Sequence, residues 1–83
     1  MNPTSARETV VRLIGEIAPE ADLTSVPGAA DLRDAVDLDS LDFLTLVERL
    51  AETTGVDVPE NDYGQVRSLD GLVQYLVQHA DSG

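Results

Sequence analysis

Residues 39–55 read DSLDFLTLVERLAETTG. Phe43, Leu46, Val47 and Leu50 recur at three- and four-residue steps, which puts them on one stripe of a helix, while Asp42, Thr45, Arg49 and Glu52 fall largely away from it. Gly55 offers a left-handed C-terminal cap. At the other end two residues compete for the N-cap. Ser40 has Phe43 three residues on, so a capping box from it fails, whereas Asp39 is followed at the same offset by the acidic Asp42. If Asp39 caps, Ser40 is the first helical residue. Its hydroxyl then faces solvent at the positive end of a helix, where an attached phosphate is stabilised.

Toward the N-terminus, Ser5-Ala6-Arg7-Glu8 has the pattern of a capping box and predicts a helix start. Val10, Val11, Leu13, Ile14 and Ile17 give that helix an apolar stripe, and Pro19 stops it at about Ala18. A long connection follows from Pro19 to Asp39, with Pro27-Gly28 and isolated apolar residues at Leu23, Val26, Leu32, Val36 and Leu38. Connections of this length tend to be functional or to hide a short element, and Asp31 to Val36 could supply one helical turn. Beyond Gly55, Val58-Pro59-Glu60 puts Pro59 at a first helical position and predicts a brief helix reaching Val66. Ser68 can cap a last helix carrying Leu69, Leu72, Val73, Leu76 and Val77, within which Gly71 costs about 1 kcal/mol relative to Ala. No stretch alternates with period two. The chain therefore reads as all-α: a small four-helix bundle of three longer helices and one short helix, with a long loop between the first and second. A single domain over residues 1–83 is expected, its core lined by Val10, Leu46, Val47, Leu50, Val66 and Val73.

The balance of 5 Arg and Lys against 16 Asp and Glu gives a net charge of -11. That field repels phosphate backbones and anionic lipid, so neither nucleic acid nor a membrane is an expected partner. No cysteine is present, which excludes a thiol nucleophile and a disulfide framework and fits a reducing cytoplasm. The acids are unevenly spread. Between Asp31 and Glu52 stand Asp31, Asp34, Asp37, Asp39, Asp42, Glu48 and Glu52 against Arg33 and Arg49, which points to the start of the second long helix as the working end.

Chemistry by the chain itself is hard to assemble. Asp37, Asp39 and Glu48 match three positions of an EF-hand loop, but Leu41 stands at a ligand position and Asp42 where the turn needs Gly. No metal site is expected. The one imidazole, His79, lies in the last helical turn, and Gly-x-Ser-x-Gly is absent, so Ser40 is not read as a hydrolase nucleophile. Ser40 reads as a residue modified by others.

Leu38-Asp39-Ser40-Leu41 at the start of a helix in a small acidic bundle resembles the acyl carrier protein family. The resemblance extends over nearly the whole chain: Leu13-Ile14-Gly15-Glu16 in the first helix, the long loop, Val58-Pro59 before the short helix, and Tyr75-Leu76 in the last. It implies a non-catalytic carrier whose serine, here Ser40, bears 4'-phosphopantetheine delivered from coenzyme A by a phosphopantetheinyl transferase, with Asp39 and Leu41 as recognition neighbours. Acyl groups would ride as thioesters on the arm. Three departures stand out: Asp37 where many fatty-acid carriers have Gly, Thr45 where Glu is frequent, and the bulky Phe43. They point toward a specialised acyl or polyketide pathway. An aminoacyl or peptidyl carrier is the alternative within the class, and an unmodified acidic interaction module the alternative outside it.

Leu41, Leu44, Thr45, Glu48 and Glu52 follow three- and four-residue steps and share a face distinct from the core stripe. Acyl-loading and acyl-processing enzymes with basic surfaces would dock there, steered by charge to a monomeric, cytoplasmic carrier.

Overall fold

A computed structural model describes residues 1–36 and 38–80. Helix α1 spans Pro3–Ile17, α2 is the single turn Leu32–Ala35, α3 spans Ser40–Thr54 and α4 spans Leu69–His79. Two 3-10 segments, Leu23–Ser25 and Glu60–Val66, complete the regular structure, and no strand occurs among the described residues. The helical bundle expected from the sequence is present.

Helix α1 starts earlier than its capping-box pattern predicts. Asn2, extended at φ -85° and ψ 164°, accepts the Ser5 N–H on its side chain at 2.8 Å, which leaves Ser5 inside the helix and Pro3 in the first turn. The reason is local. Proline lacks the N–H that a first helical residue cannot use, and asparagine before it is a strong cap. The buried face of α1 is Ala6, Val10, Leu13 and Ile14. These residues pack against α3, which contributes Phe43, Leu46, Val47 and Leu50, and against α4, which contributes Leu69, Leu72, Tyr75 and Leu76. Val73, expected in the core, is only half-buried, and Tyr75 takes the interior position. Tyr75 can do so because its hydroxyl donates to Asp62 Oδ2 at 2.7 Å, which satisfies the polar end of an otherwise apolar ring.

The long connection is anchored, not loose. Leu23, Leu32 and Leu38 are all buried in the same apolar cluster as the helices. Asp31 caps α2 by accepting the Arg33 N–H at 2.9 Å and pairs in an isolated antiparallel bridge with Ser68. The Leu32 N–H donates to the Arg67 carbonyl at 2.7 Å and the Asp70 N–H to the Gly28 carbonyl at 2.9 Å. Together these bonds fasten α2 to the entrance of α4.

The C-terminal side of α3 closes as its sequence indicates, with Gly55 at φ 78° donating its N–H to the Ala51 carbonyl. Pro59 differs from expectation. At ψ 154° it is still extended and precedes the helix, and the segment it introduces is 3-10: the Asp62 N–H reaches the Pro59 carbonyl at 2.8 Å. Ser68 caps α4 by accepting the Gly71 N–H at 3.0 Å. Gly71 is there for space. A methyl group at that position would run into the Gln65 carbonyl oxygen where the 3-10 segment crosses the start of α4.

Candidate functional site

The site begins with the competition between Asp39 and Ser40, which Asp39 wins. Asp39 is extended, accepts the Asp42 N–H on Oδ1 at 2.8 Å and has its own carbonyl bonded by the Phe43 N–H at 2.9 Å. Ser40 is accordingly the first residue of α3. It is exposed, and its hydroxyl makes no hydrogen bond among the described residues. The first N–H groups of α3 lack intrahelical partners and point out at this end, along with the positive end of the helix dipole.

Beside Ser40 lies a cleft of about 280 Å³. It is lined by Ser40, Phe43 and Leu44 of α3, by Arg33 of α2, and by Glu60, Tyr63 and Arg67 in and after the second 3-10 segment. The Phe43 and Tyr63 rings meet edge to face, with centroids 5.4 Å apart and planes at 77°, which is a favoured aromatic arrangement. The two arginines are brought to one cleft by the backbone bonds that tie α2 to residues 67 and 68. No sequence spacing announces that meeting. The available signal was scarcity: with only five basic residues in the chain, two of them line the cleft that Ser40 lines.

The family model for the phosphopantetheine attachment site matches residues 8–76. The chain belongs to the acyl carrier protein family. It is 29% identical over 76 residues to an acyl carrier protein of Rubrobacter xylanophilus, a match that covers 88% of this chain and 94% of that one. Over 60 residues it is 30% identical to the mitochondrial acyl carrier protein 2 of Arabidopsis thaliana, covering 72% of this chain and 48% of the relative. A third relative, the acyl carrier protein of Lactobacillus johnsonii, is 31% identical over 49 residues, 59% of this chain and 61% of that protein. Like its family, this chain is a non-catalytic carrier with a covalently attached 4'-phosphopantetheine group. The α3 end fits such a group: it offers an exposed hydroxyl, unpaired backbone N–H donors, guanidinium groups for a phosphodiester and an aromatic wall for the arm.

The rest of the carrier's α3 surface carries further exposed side chains beyond Ser40. Leu41, 73% exposed, and Leu44, 40% exposed, are the large hydrophobic residues open to solvent among those described. Glu48 and Glu52 are exposed along the same face, and half-buried Thr45 turns its hydroxyl back onto the Leu41 carbonyl at 2.9 Å. Arg49 points elsewhere and bridges α3 to α1 through Glu16 at 3.2 Å, a half-exposed pair that contributes little stability. His79 stacks on Tyr75 at 4.1 Å and is not among the residues lining the Ser40 cleft. Among the described residues no group of three or more His, Asp or Glu side chains could hold a metal ion; Asp37, first in the EF-hand register, lies outside them. Among the described residues no helix is long and apolar enough to cross a membrane.

Proposed function

We propose that Ser40 is the attachment point of 4'-phosphopantetheine and that the chain, acting as one domain and as a monomer, presents acyl intermediates to a series of partner enzymes. The observation that carries this reading is the division of labour at the start of α3. Asp39 supplies the cap hydrogen bond, so the Ser40 hydroxyl is left unbonded and exposed at a helix N-terminus, where backbone N–H groups favour a phosphate. When bound, the arm supplies the thiol that a chain without cysteine lacks. Asp39 and Leu41 flank the serine and are the residues a phosphopantetheinyl transferase would read first.

Leu41, Leu44, Thr45, Glu48 and Glu52 make the docking face in this reading. Two exposed leucines give desolvated contact next to Ser40, and two exposed glutamates give an acidic margin that attracts Arg and Lys on an acyl-loading or acyl-processing enzyme. Phe43 in the cleft wall and Thr45 on the docking face alter the surface met by the enzymes of standard fatty-acid synthesis, which supports a specialised acyl or polyketide-type pathway. A chain without cysteine suits the reducing cytoplasm, the compartment the proposal assigns to it.

Intact mass after incubation with coenzyme A, magnesium and a broad-specificity transferase tests the attachment point. The wild type should gain one phosphopantetheine, and Ser40→Ala none, while its stability changes by no more than about 1 kcal/mol because Asp39 still caps. Modification of Ser40→Ala, or a label mapped to Ser5 or Ser68, would refute the assignment. Loading of the modified protein against acyl and amino acid panels then separates an acyl carrier from an aminoacyl one.

A further inference from the structure

We propose that Arg33 and Arg67 bind the phosphodiester formed on Ser40 and so lay the arm along the Phe43–Tyr63 wall of the cleft, giving the carrier a docked resting state. The inference rests on Ser40 as the attachment point and concerns where the arm lies afterward.

Charge is the first argument. The chain carries 16 acids and five arginines, yet the lining of this cleft holds two guanidinium groups against the single carboxylate of Glu60. In a chain that is net -11, the side chains lining this cleft carry one surplus positive charge. Among the described residues neither Arg33 nor Arg67 makes an ion pair, whereas Arg49 is engaged with Glu16. A phosphodiester brings one negative charge, which matches the surplus in the lining. Guanidinium is also the side chain best shaped to bind phosphate oxygens in pairs.

Preorganisation is the second. Arg33 and Arg67 come from segments far apart in sequence, but the Asp31–Ser68 bridge and the Leu32 N–H to Arg67 carbonyl bond hold their backbones side by side. Only side-chain freedom remains to be lost on binding. Ser40 lines the same 280 Å³ cleft, so a phosphorus one bond from its oxygen is already at the cleft. Beyond it the Phe43 and Tyr63 rings offer apolar contact for the arm's gem-dimethyl carbon and a face for its amides.

Each exposed guanidinium contact is worth about two- to fivefold in the ratio of docked to free arm, so the pair shifts that ratio by roughly tenfold. The test uses the holo-carrier made enzymatically from coenzyme A. In the wild type the gem-dimethyl protons should show NOEs to the Phe43 and Tyr63 rings and a ring-current shift, and the phosphodiester 31P resonance should move as salt is raised toward about 0.5 M. In Arg33→Gln/Arg67→Gln the NOEs should fall by roughly tenfold and the salt dependence should flatten. If the double variant fails to fold, Arg33→Gln alone, at an exposed position, should show part of the same loss. Two results would overturn the inference: unchanged NOEs in these variants, or arm contacts that appear only once a carboxylate-bearing acyl group is loaded, which would make the cleft a cargo site. Absence of the mass gain at Ser40, read before any NMR, would instead remove the attachment point and this inference with it.

Discussion

Replacing Gly71 by alanine should destabilise the protein, although the same change inside most helices stabilises. Alanine is favoured over glycine by about 1 kcal/mol in a helix interior. In α4, however, the new Cβ would press into the Gln65 carbonyl oxygen, lie 3.3 Å from its carbonyl carbon and come within 3.1 Å of Ser68 Oγ. The first two are backbone atoms of the 3-10 segment and cannot rotate aside. The third is the acceptor that caps α4, bonded to the Gly71 N–H itself. Relieving the overlap means sliding α4 against the 3-10 segment, at an overpacking cost of about 1–3 kcal/mol, which exceeds or cancels the propensity gain. Gly15 is the internal control. It lies in α1 with nothing within 4 Å of a Cβ, so Gly15→Ala should gain about 0.5–1 kcal/mol. The two substitutions should therefore differ by about 2 kcal/mol, or on the order of 10 °C in Tm for a chain of this size. Thermal and urea unfolding followed by circular dichroism measure both. A Gly71→Ala protein stabilised to the same degree as Gly15→Ala would refute the close approach of the 3-10 segment to α4.

Asp39→Ala should cost about 1 kcal/mol of stability through loss of the cap to Asp42 and should lower the rate of phosphopantetheinylation, both readable on one preparation; unchanged stability would mean that Ser40 takes over the cap. Burial raises the pKa of Tyr75 above the ordinary 10.0, and its hydrogen bond and proximity to Asp62 push it further in the same direction. The stability held by the neutral phenol is thus complete below about pH 10 and is lost as pH rises through the raised folded-state value. Tyr75→Phe should cost about 0.5–1.5 kcal/mol at neutral pH and flatten the alkaline decline, and a decline of equal steepness in both proteins would count against the assignment. Reversing Glu48 and Glu52 to Arg should slow modification or loading several-fold and weaken its salt dependence while α3 stays folded; identical kinetics would remove this face as the docking surface.

The elements that could be read in the sequence are those whose signals are local. For α3 the Asp39 cap, the apolar stripe and Gly55 all lie within or beside the helix, and the observed limits are those the pattern gives. Ser68 announced α4 for the same reason. At the start of α1 two local signals competed, and the Asn2-Pro3 pair prevailed over the capping-box pattern from Ser5 because proline settles the first turn. Tyr75 was harder to see as a core residue, since its burial depends on Asp62 in another element. The cleft was illegible from spacing altogether. Ser40 stands out from its own helix, but Arg33, Tyr63 and Arg67 join it through backbone bonds between segments that share no periodicity.

The bridge between Asp31 and Ser68 also has a place in time. It joins residues nearly half the chain apart, so closing it costs more chain entropy than forming α3, whose contacts are local. Helix α3, whose caps are local, is under no such constraint. Folding is thus expected to form the helix bearing Ser40 first and to latch the arginine-lined cleft last. The amide hydrogens of Leu32 and Asp70, which donate across this latch, would report its closing by gaining exchange protection later than those in the middle of α3.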